Sequence, residues 1–117
     1  MQLELRHLRW VVTLADELHF ARAADRLGMS RQSLSNRIRA IEAELGYPLF
    51  VRTTRRVALT PAGEAFVPRA RRAIRCAEEA RRAGARAAAG MMDAAAAEMA
   101  ADAQADGLSP TGRFARG

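Results

Sequence analysis

The stretch RLGMSRQSLSNRIRAIEAELG, residues 26–46, carries the stop signal of one helix and the start signal of the next. Gly28 is suited to end a helix, because glycine adopts the left-handed C-terminal conformation without steric cost. Ser30 is suited to cap the following helix, predicted over residues 31–45. Apolar side chains recur in that helix at the spacing of one buried stripe, formed by Leu34, Ile38, Ile41 and Leu45.

Two helices are predicted before this one. The first spans about residues 3–18 and has an apolar face of Leu8, Val11, Val12, Ala15 and Leu18. The second is shorter, begins at His19 and Phe20, and turns Ala23, Ala24 and Leu27 inward. Two helices joined by a short turn at Gly28 form a helix-turn-helix, and the first helix supplies the third wall of a small core.

A basic hairpin and a long helix are predicted after the helix-turn-helix. Short extended runs at residues 49–51 and 57–59 flank the basic segment Arg52–Arg56, which is typical of a β-hairpin wing. Thr60 and Pro61 then start a helix, predicted to run to about Ala89 with a bend caused by Pro68.

The predicted fold class is therefore mainly α: a winged helix-turn-helix of three helices plus a small β-hairpin wing, followed by a long linker helix. The predicted division of the chain is a winged domain, a linker or dimerisation helix, and a weakly helical to disordered tail, over residues 1–60, 61–90 and 91–117.

Charge is distributed unevenly along the 117 residues, whose formal net charge is +6. Up to Gly90 there are 17 arginines against 9 acidic residues, and beyond it 2 against 4, so the two parts carry +8 and −2. A basic first part suits nucleic acid or an anionic membrane surface. The absence of an apolar span and of a signal peptide predicts a cytoplasmic protein without membrane contact.

Catalytic and metal-binding signals are lacking. The single cysteine, Cys76, excludes an intramolecular disulfide and a cysteine-based metal site. No P-loop, nucleophile elbow or metal-ligand cluster occurs in the sequence. We therefore predict a protein that is not an enzyme and that binds no cofactor.

The third helix presents a polar face opposite its buried stripe. Gln32, Asn36 and Arg39 lie on that face, with Ser33 and Ser35 on its flanks. A helix of this kind fits the major groove of DNA, where arginine can bind guanine and glutamine or asparagine can bind adenine. Together with the helix start and the wing, the predicted DNA-binding residues are Arg31, Gln32, Ser33, Ser35, Asn36, Arg39, Arg52, Arg55 and Arg56.

The long helix carries a narrow apolar seam at alternating steps of four and three residues, a spacing typical of helix-to-helix pairing. The predicted dimerisation residues are Phe66, Ala70, Ala73, Ile74, Ala77 and Ala80. The predicted partners are thus double-stranded DNA and a second copy of the chain, paired through the linker helix.

From about Leu3 to Ala89 the sequence resembles the LysR-type transcriptional regulators, most clearly in three consecutive segments over residues 19–66: HFARAADRLGMS, RQSLSNRIRAIEAELGYPLF and VRTTRRVALTPAGEAF. The resemblance implies sequence-specific binding of double-stranded DNA and transcriptional regulation by a dimer. It implies contacts with the major groove from the residues matching Arg31, Gln32, Ser33, Ser35 and Asn36, and with the minor groove from Arg55 on the wing. At Arg31 and Gln32 the sequence departs from the family, in which Gln and Pro are usual.

Family members continue into an effector-sensing α/β domain, which the 27 residues after Gly90 are too few to form. The expectation is a truncated regulator that binds DNA without a small-molecule effector. Two alternatives remain. One is an interaction module that forms mixed dimers with a full-length regulator, and the other is a different winged-helix regulator, similar to the molybdate-responsive repressors.

Overall fold

A computed structural model describes residues 2–104 as four helices and one two-stranded antiparallel sheet. This architecture confirms the predicted mainly-α winged helix-turn-helix with a long helix after the wing. The elements are, in chain order, α1 (Leu5–Glu17), α2 (Phe20–Leu27), α3 (Arg31–Leu45), β1 (Phe50–Arg52), β2 (Val57–Leu59) and α4 (Pro61–Gln104).

The core lies between α1, α2, α3 and the start of the wing. Its largest fully buried side chains are Val11, Leu14, Leu34, Ile38, Ile41 and Leu49. Ala23 and Ala24 of α2 are also buried, and their small side chains allow the neighbouring helices to approach closely. The predicted stripe of α3 is confirmed, with Leu45 half-buried against the same core.

The buried face of α1 differs from the predicted one. His7, Val11 and Leu14 are buried, whereas Leu18 is 42% exposed. Leu18 follows the last helical residue in the left-handed conformation (φ 48°), so its side chain leaves the predicted stripe. The helix also begins later than predicted, at Leu5: Glu4 is the N-cap residue, and its backbone N–H donates to Nδ1 of His7 at 2.8 Å.

Local signals position the two helices of the helix-turn-helix as predicted. Gly28 ends α2 in the left-handed conformation (φ 68°), and Ser30 Oγ accepts from the Ser33 N–H at 3.0 Å. The start of α2 has a cap of its own, since Nδ1 of His19 accepts from the Arg22 N–H at 3.1 Å. A free backbone donor at each helix start is thereby satisfied.

The wing is an antiparallel hairpin in which Val51 pairs with Ala58. Its first strand lies one residue later than the predicted 49–51. Leu49 precedes the ladder: its N–H donates to the Glu42 carboxylate at 2.6 Å, and its carbonyl accepts from the Thr60 N–H at 3.0 Å. Hydrogen bonds from Leu49 and Phe50 to a side chain of α3 thus hold the start of the wing against that helix.

Thr53 organises the loop between the strands. Its N–H donates to the Arg56 carbonyl at 2.9 Å, and its Oγ1 accepts from the backbone N–H groups of Arg55 (3.3 Å) and Arg56 (3.1 Å). A threonine side chain therefore closes a hairpin that has no Asn-Gly turn.

Helix α4 continues beyond the predicted end at Ala89, to Gln104. Gly90 does not stop it, because one isolated glycine costs a helix only about 1 kcal/mol relative to alanine. The alanines and methionines that follow favour the helix, so residues 91–104, predicted as the start of a weakly helical to disordered tail, continue α4. The rest of that tail lies outside the described residues. Pro68 lies within the helix and does not interrupt it.

The chain divides into two units, the first ending at Ala77 and the second beginning at Glu78. In the first, Val67 and Ala70 of α4 are buried, and Arg71 Nη2 contacts Asp16 Oδ1 of α1 at 2.6 Å. In the second, residues 79–103 are exposed. Within residues 2–104, no helix combines the length and the apolar character needed to cross a bilayer.

Candidate nucleic-acid interface

An open groove of about 590 Å³ lies between the start of α2, the polar face of α3 and the wing. Five arginines and one histidine line it, and none of its lining residues is acidic. A surface of this charge attracts a polyanion. The basic lining residues are His19, Arg31, Arg39, Arg52, Arg55 and Arg56.

The polar face of α3 is open to solvent. Gln32, Asn36 and Arg39 are exposed, and Nε2 of Gln32 donates to Oδ1 of Asn36 at 3.2 Å. This bond joins side chains one helical turn apart and leaves both N–H groups of the Asn36 amide unused by it. The face can therefore offer hydrogen-bond donors and acceptors to a partner without exposing the hydrophobic core.

The two flanking serines are half-buried and both accept hydrogen bonds from arginines. Arg37 Nε donates to Ser33 Oγ at 3.1 Å, and its guanidinium lies 4.7 Å from the centre of the Trp10 ring. Arg52 Nη1 donates to Ser35 Oγ at 2.9 Å. Of these two serines, Ser35 lines the groove.

Arg52 is held inside the protein more firmly than the other predicted DNA-binding arginines. Besides Ser35, its guanidinium contacts Glu42 (Nη2 to Oε1, 3.2 Å) and lies 4.8 Å from the centre of the Phe20 ring. Its side chain is 20% exposed, and burial lowers the pKa of the guanidinium while Glu42 opposes that shift. Arg31, Arg55 and Arg56 are exposed instead.

Glu42 connects α3 to the wing. Its Oε2 accepts from the N–H groups of Leu49 (2.6 Å) and Phe50 (3.1 Å), while Oε1 contacts Arg52. The carboxylate therefore satisfies two backbone donors and one guanidinium, and sets the position of the hairpin relative to the helix.

The predicted dimerisation residues have unequal burial within the single chain. Ala70 is buried and Phe66 packs against the core, so these two already serve the fold of the first unit. Ala73, Ile74 and Ala77 are half-buried, and Ala80 is exposed.

Some features of the site were not predicted from the sequence. The roles of Thr53, Phe20 and Glu42 depend on partners that a helical or strand pattern does not reveal. A threonine two residues before the wing arginines was the one local signal that could have indicated the turn.

The helix-turn-helix, the hairpin wing and the long helix after it define a winged helix-turn-helix protein. Residues 5–64 match the family of bacterial regulatory helix-turn-helix proteins, lysR family. The chain therefore belongs to the LysR family. This membership argues against the alternative of a regulator similar to the molybdate-responsive repressors.

Named relatives and solved structures agree with this family. The chain is 51% identical over 81 residues to the HTH-type transcriptional regulator ShiR of Corynebacterium glutamicum, covering 69% of this chain and 28% of ShiR. It is 49% identical over 79 residues to the Hca operon transcriptional activator HcaR of Escherichia coli, covering 68% and 27%. The chain thus spans about a quarter of the length of these relatives.

The similar structures include proteins solved in complex with DNA. The BenM DNA-binding domain in complex with benA site 1 DNA has a TM-score of 0.72 and 36% identity, covering 75% of this chain and 99% of that one. Full-length CbnR complexed with its target DNA has a TM-score of 0.62 and 38% identity, covering 74% and 29%.

Proposed function

We propose that this chain binds double-stranded DNA with sequence preference through the polar face of α3 and the wing, and so regulates transcription. The observation that carries the proposal is the groove between these elements, which is lined by arginines and contains no acidic residue. Membership of the LysR family and the DNA in the BenM and CbnR structures support it.

The chemistry of the surface suits a duplex. Asn36 can donate to and accept from adenine, and Arg39 can bind guanine through two parallel hydrogen bonds. Arg55 and Arg56, on the exposed loop of the wing, are suited to phosphates or to the minor groove beside the helix. Ser30 caps the helix start that would enter the major groove.

Selection of bound duplexes from a random pool tests sequence preference directly. The expected result is an enriched motif with two half-sites, because two copies of the helix-turn-helix would bind symmetrically. Bound duplexes without any enriched motif would contradict sequence-specific binding.

Two further measurements test the other parts of the proposal. A reporter gene placed behind the selected site tests regulation of transcription. Titration of the protein–DNA complex with metabolites tests the prediction that no small-molecule effector acts.

Removing the wing charges should weaken DNA binding and reduce its dependence on salt. We expect R55Q/R56Q to lower the slope of log affinity against log salt by about 0.9 for each phosphate that the variant no longer neutralises. Fluorescence anisotropy with a labelled duplex between low and moderate salt measures this slope. The matched control is R82Q/R86Q, which removes the same charge from exposed positions of α4. Equal slopes for the two double variants would contradict the role of the wing.

We infer in addition that two copies pair through α4. Ile74 and Ala77 support this, since they are half-buried in the single chain and continue the apolar seam. Ile74→Glu should raise the dissociation constant of the dimer about 100-fold, because an unpaired buried charge costs several kcal/mol. Light scattering after size exclusion measures the mass. The control is Ala65→Glu on the exposed side of α4, and a dimer equally stable in both variants would contradict the seam.

A further inference from the structure

Arg52 has its charge paired and two of its nitrogens engaged as hydrogen-bond donors within the protein. Its Nη1 donates to Ser35 and its Nη2 contacts Glu42. The central carbon of the guanidinium lies over the ring of Phe20. The fork geometry of a guanidinium allows these contacts to be made at once. Arg52 is therefore engaged before any partner arrives, although it lines the same groove as the exposed Arg55.

The bond from Arg52 restricts what the Ser35 hydroxyl can do. A guanidinium only donates, so Ser35 Oγ must accept from it. Within residues 2–104 this is the one hydrogen bond of the Ser35 side chain, and the hydroxyl proton is used in no other. A hydroxyl whose oxygen already accepts is polarised toward donating that proton. Ser35 is half-buried and lines the groove.

We propose that Arg52 is a positioning residue that makes Ser35 a hydrogen-bond donor to an acceptor atom of bound DNA, and that Arg52 does not itself neutralise a phosphate. The proposal rests on the proposed function. The acceptor is a phosphate oxygen or a base-edge acceptor such as guanine N7 or O6 or thymine O4. At a base edge, Ser35 disfavours a donor such as the amino group of cytosine or adenine, whereas at a phosphate it is indifferent to sequence.

The salt dependence of DNA binding separates the two roles of an arginine. An arginine that contacts phosphate releases counterions, and its removal lowers the slope by about 0.9. An arginine already paired with Glu42 releases none. We therefore expect Arg52→Met to weaken binding with an unchanged slope, and Arg55→Met to weaken binding with a lower slope. A slope that falls equally in both variants would overturn the proposal.

A double-mutant cycle tests whether Arg52 acts through Ser35. We expect Ser35→Ala to weaken binding about fivefold, the typical worth of one hydrogen bond. In the S35A background, R52M should weaken binding less than it does in the wild type, because the hydroxyl on which Arg52 acts is gone. A purely structural effect of Arg52 would be the same in both backgrounds. Additive effects would therefore overturn the proposal.

Further arms cover the identity of the acceptor, the folding of the variants and the proposed function itself. Weaker binding of S35A to the selected duplex alone indicates a base edge, and equally weaker binding to all duplexes indicates a phosphate; each supports the donor role. If R52M does not fold, E42Q/R52M replaces it, since glutamine retains an acceptor for the Leu49 and Phe50 N–H groups. Failure of the wild-type protein to bind any duplex would refute the proposed function. This result differs from every outcome named above for the variants.

Discussion

Gly63→Ala is expected to destabilise the first unit by about 3 kcal/mol. Gly63 is buried in the first turn of α4, where an added Cβ would overlap the carbonyl oxygen of Leu49 and lie 2.9 Å from Cδ2 of Leu59. The leucine side chain could move, but the Leu49 backbone is held at both ends. Its N–H donates to Glu42 and its carbonyl accepts from the Thr60 N–H at 3.0 Å. Relief of the overlap must therefore break hydrogen bonds between α3, the wing and α4.

Thermal unfolding followed by circular dichroism measures this effect, and the midpoint should fall by roughly 15 °C. Gly84→Ala is the matched control: it is the same substitution in the same helix, at a position with no atom near the added Cβ. Alanine favours a helix over glycine, so this control should not lower the midpoint. Equal midpoints for Gly63→Ala and Gly84→Ala would contradict the close approach of α4 to Leu49.

The parts of the fold that were predictable from the sequence are those set by neighbouring residues. Ser30 and Gly28 act on backbone groups within one turn, so the helix boundaries around them follow from residue type alone. The stripe of α3 was predictable for a similar reason, since one side of that helix is apolar and the other polar. The same separation of apolar and polar sides predicts which face of α3 is available to a partner.

The parts that were not predictable depend on distant residues. Helix α1 offers two sets of apolar residues at helical spacing, and the packing of α2 and α3 buries the set that contains Leu14 and leaves Leu18 exposed. His7 can enter the core because a backbone N–H of the same helix start satisfies Nδ1. A pattern of apolar residues contains neither piece of information.

Arg52 shows the same limit within the candidate site. As one of three arginines in the segment Arg52–Arg56, it has the same sequence environment as the two exposed ones. Its partners lie 10 and 17 residues earlier in the chain, at Glu42 and Ser35. Counting basic residues gives the charge of a surface, but only the fold separates an arginine that is paired inside the protein from one that can meet a phosphate.

Glu42→Ala should be among the most destabilising substitutions in the protein, at a cost of about 4 kcal/mol, because it leaves a partly buried charge without its partner. The substitution would strand the Arg52 guanidinium and remove the acceptor of the Leu49 and Phe50 N–H groups. Glu42→Gln retains a carbonyl oxygen for those two donors but removes the charge and replaces the acceptor of Arg52 by an amide NH2. We expect it to cost less, about 2 kcal/mol.

Urea unfolding followed by the fluorescence of Trp10, the single tryptophan, measures both variants in the first unit. Glu79→Ala removes an identical side chain from an exposed position of α4 and should leave the midpoint unchanged. The order of stability is then wild type and E79A, followed by E42Q and finally E42A. If E42A unfolded at the same urea concentration as E79A, the carboxylate would not hold the wing to α3, and the position of Ser35 and Arg52 in the groove would need another cause.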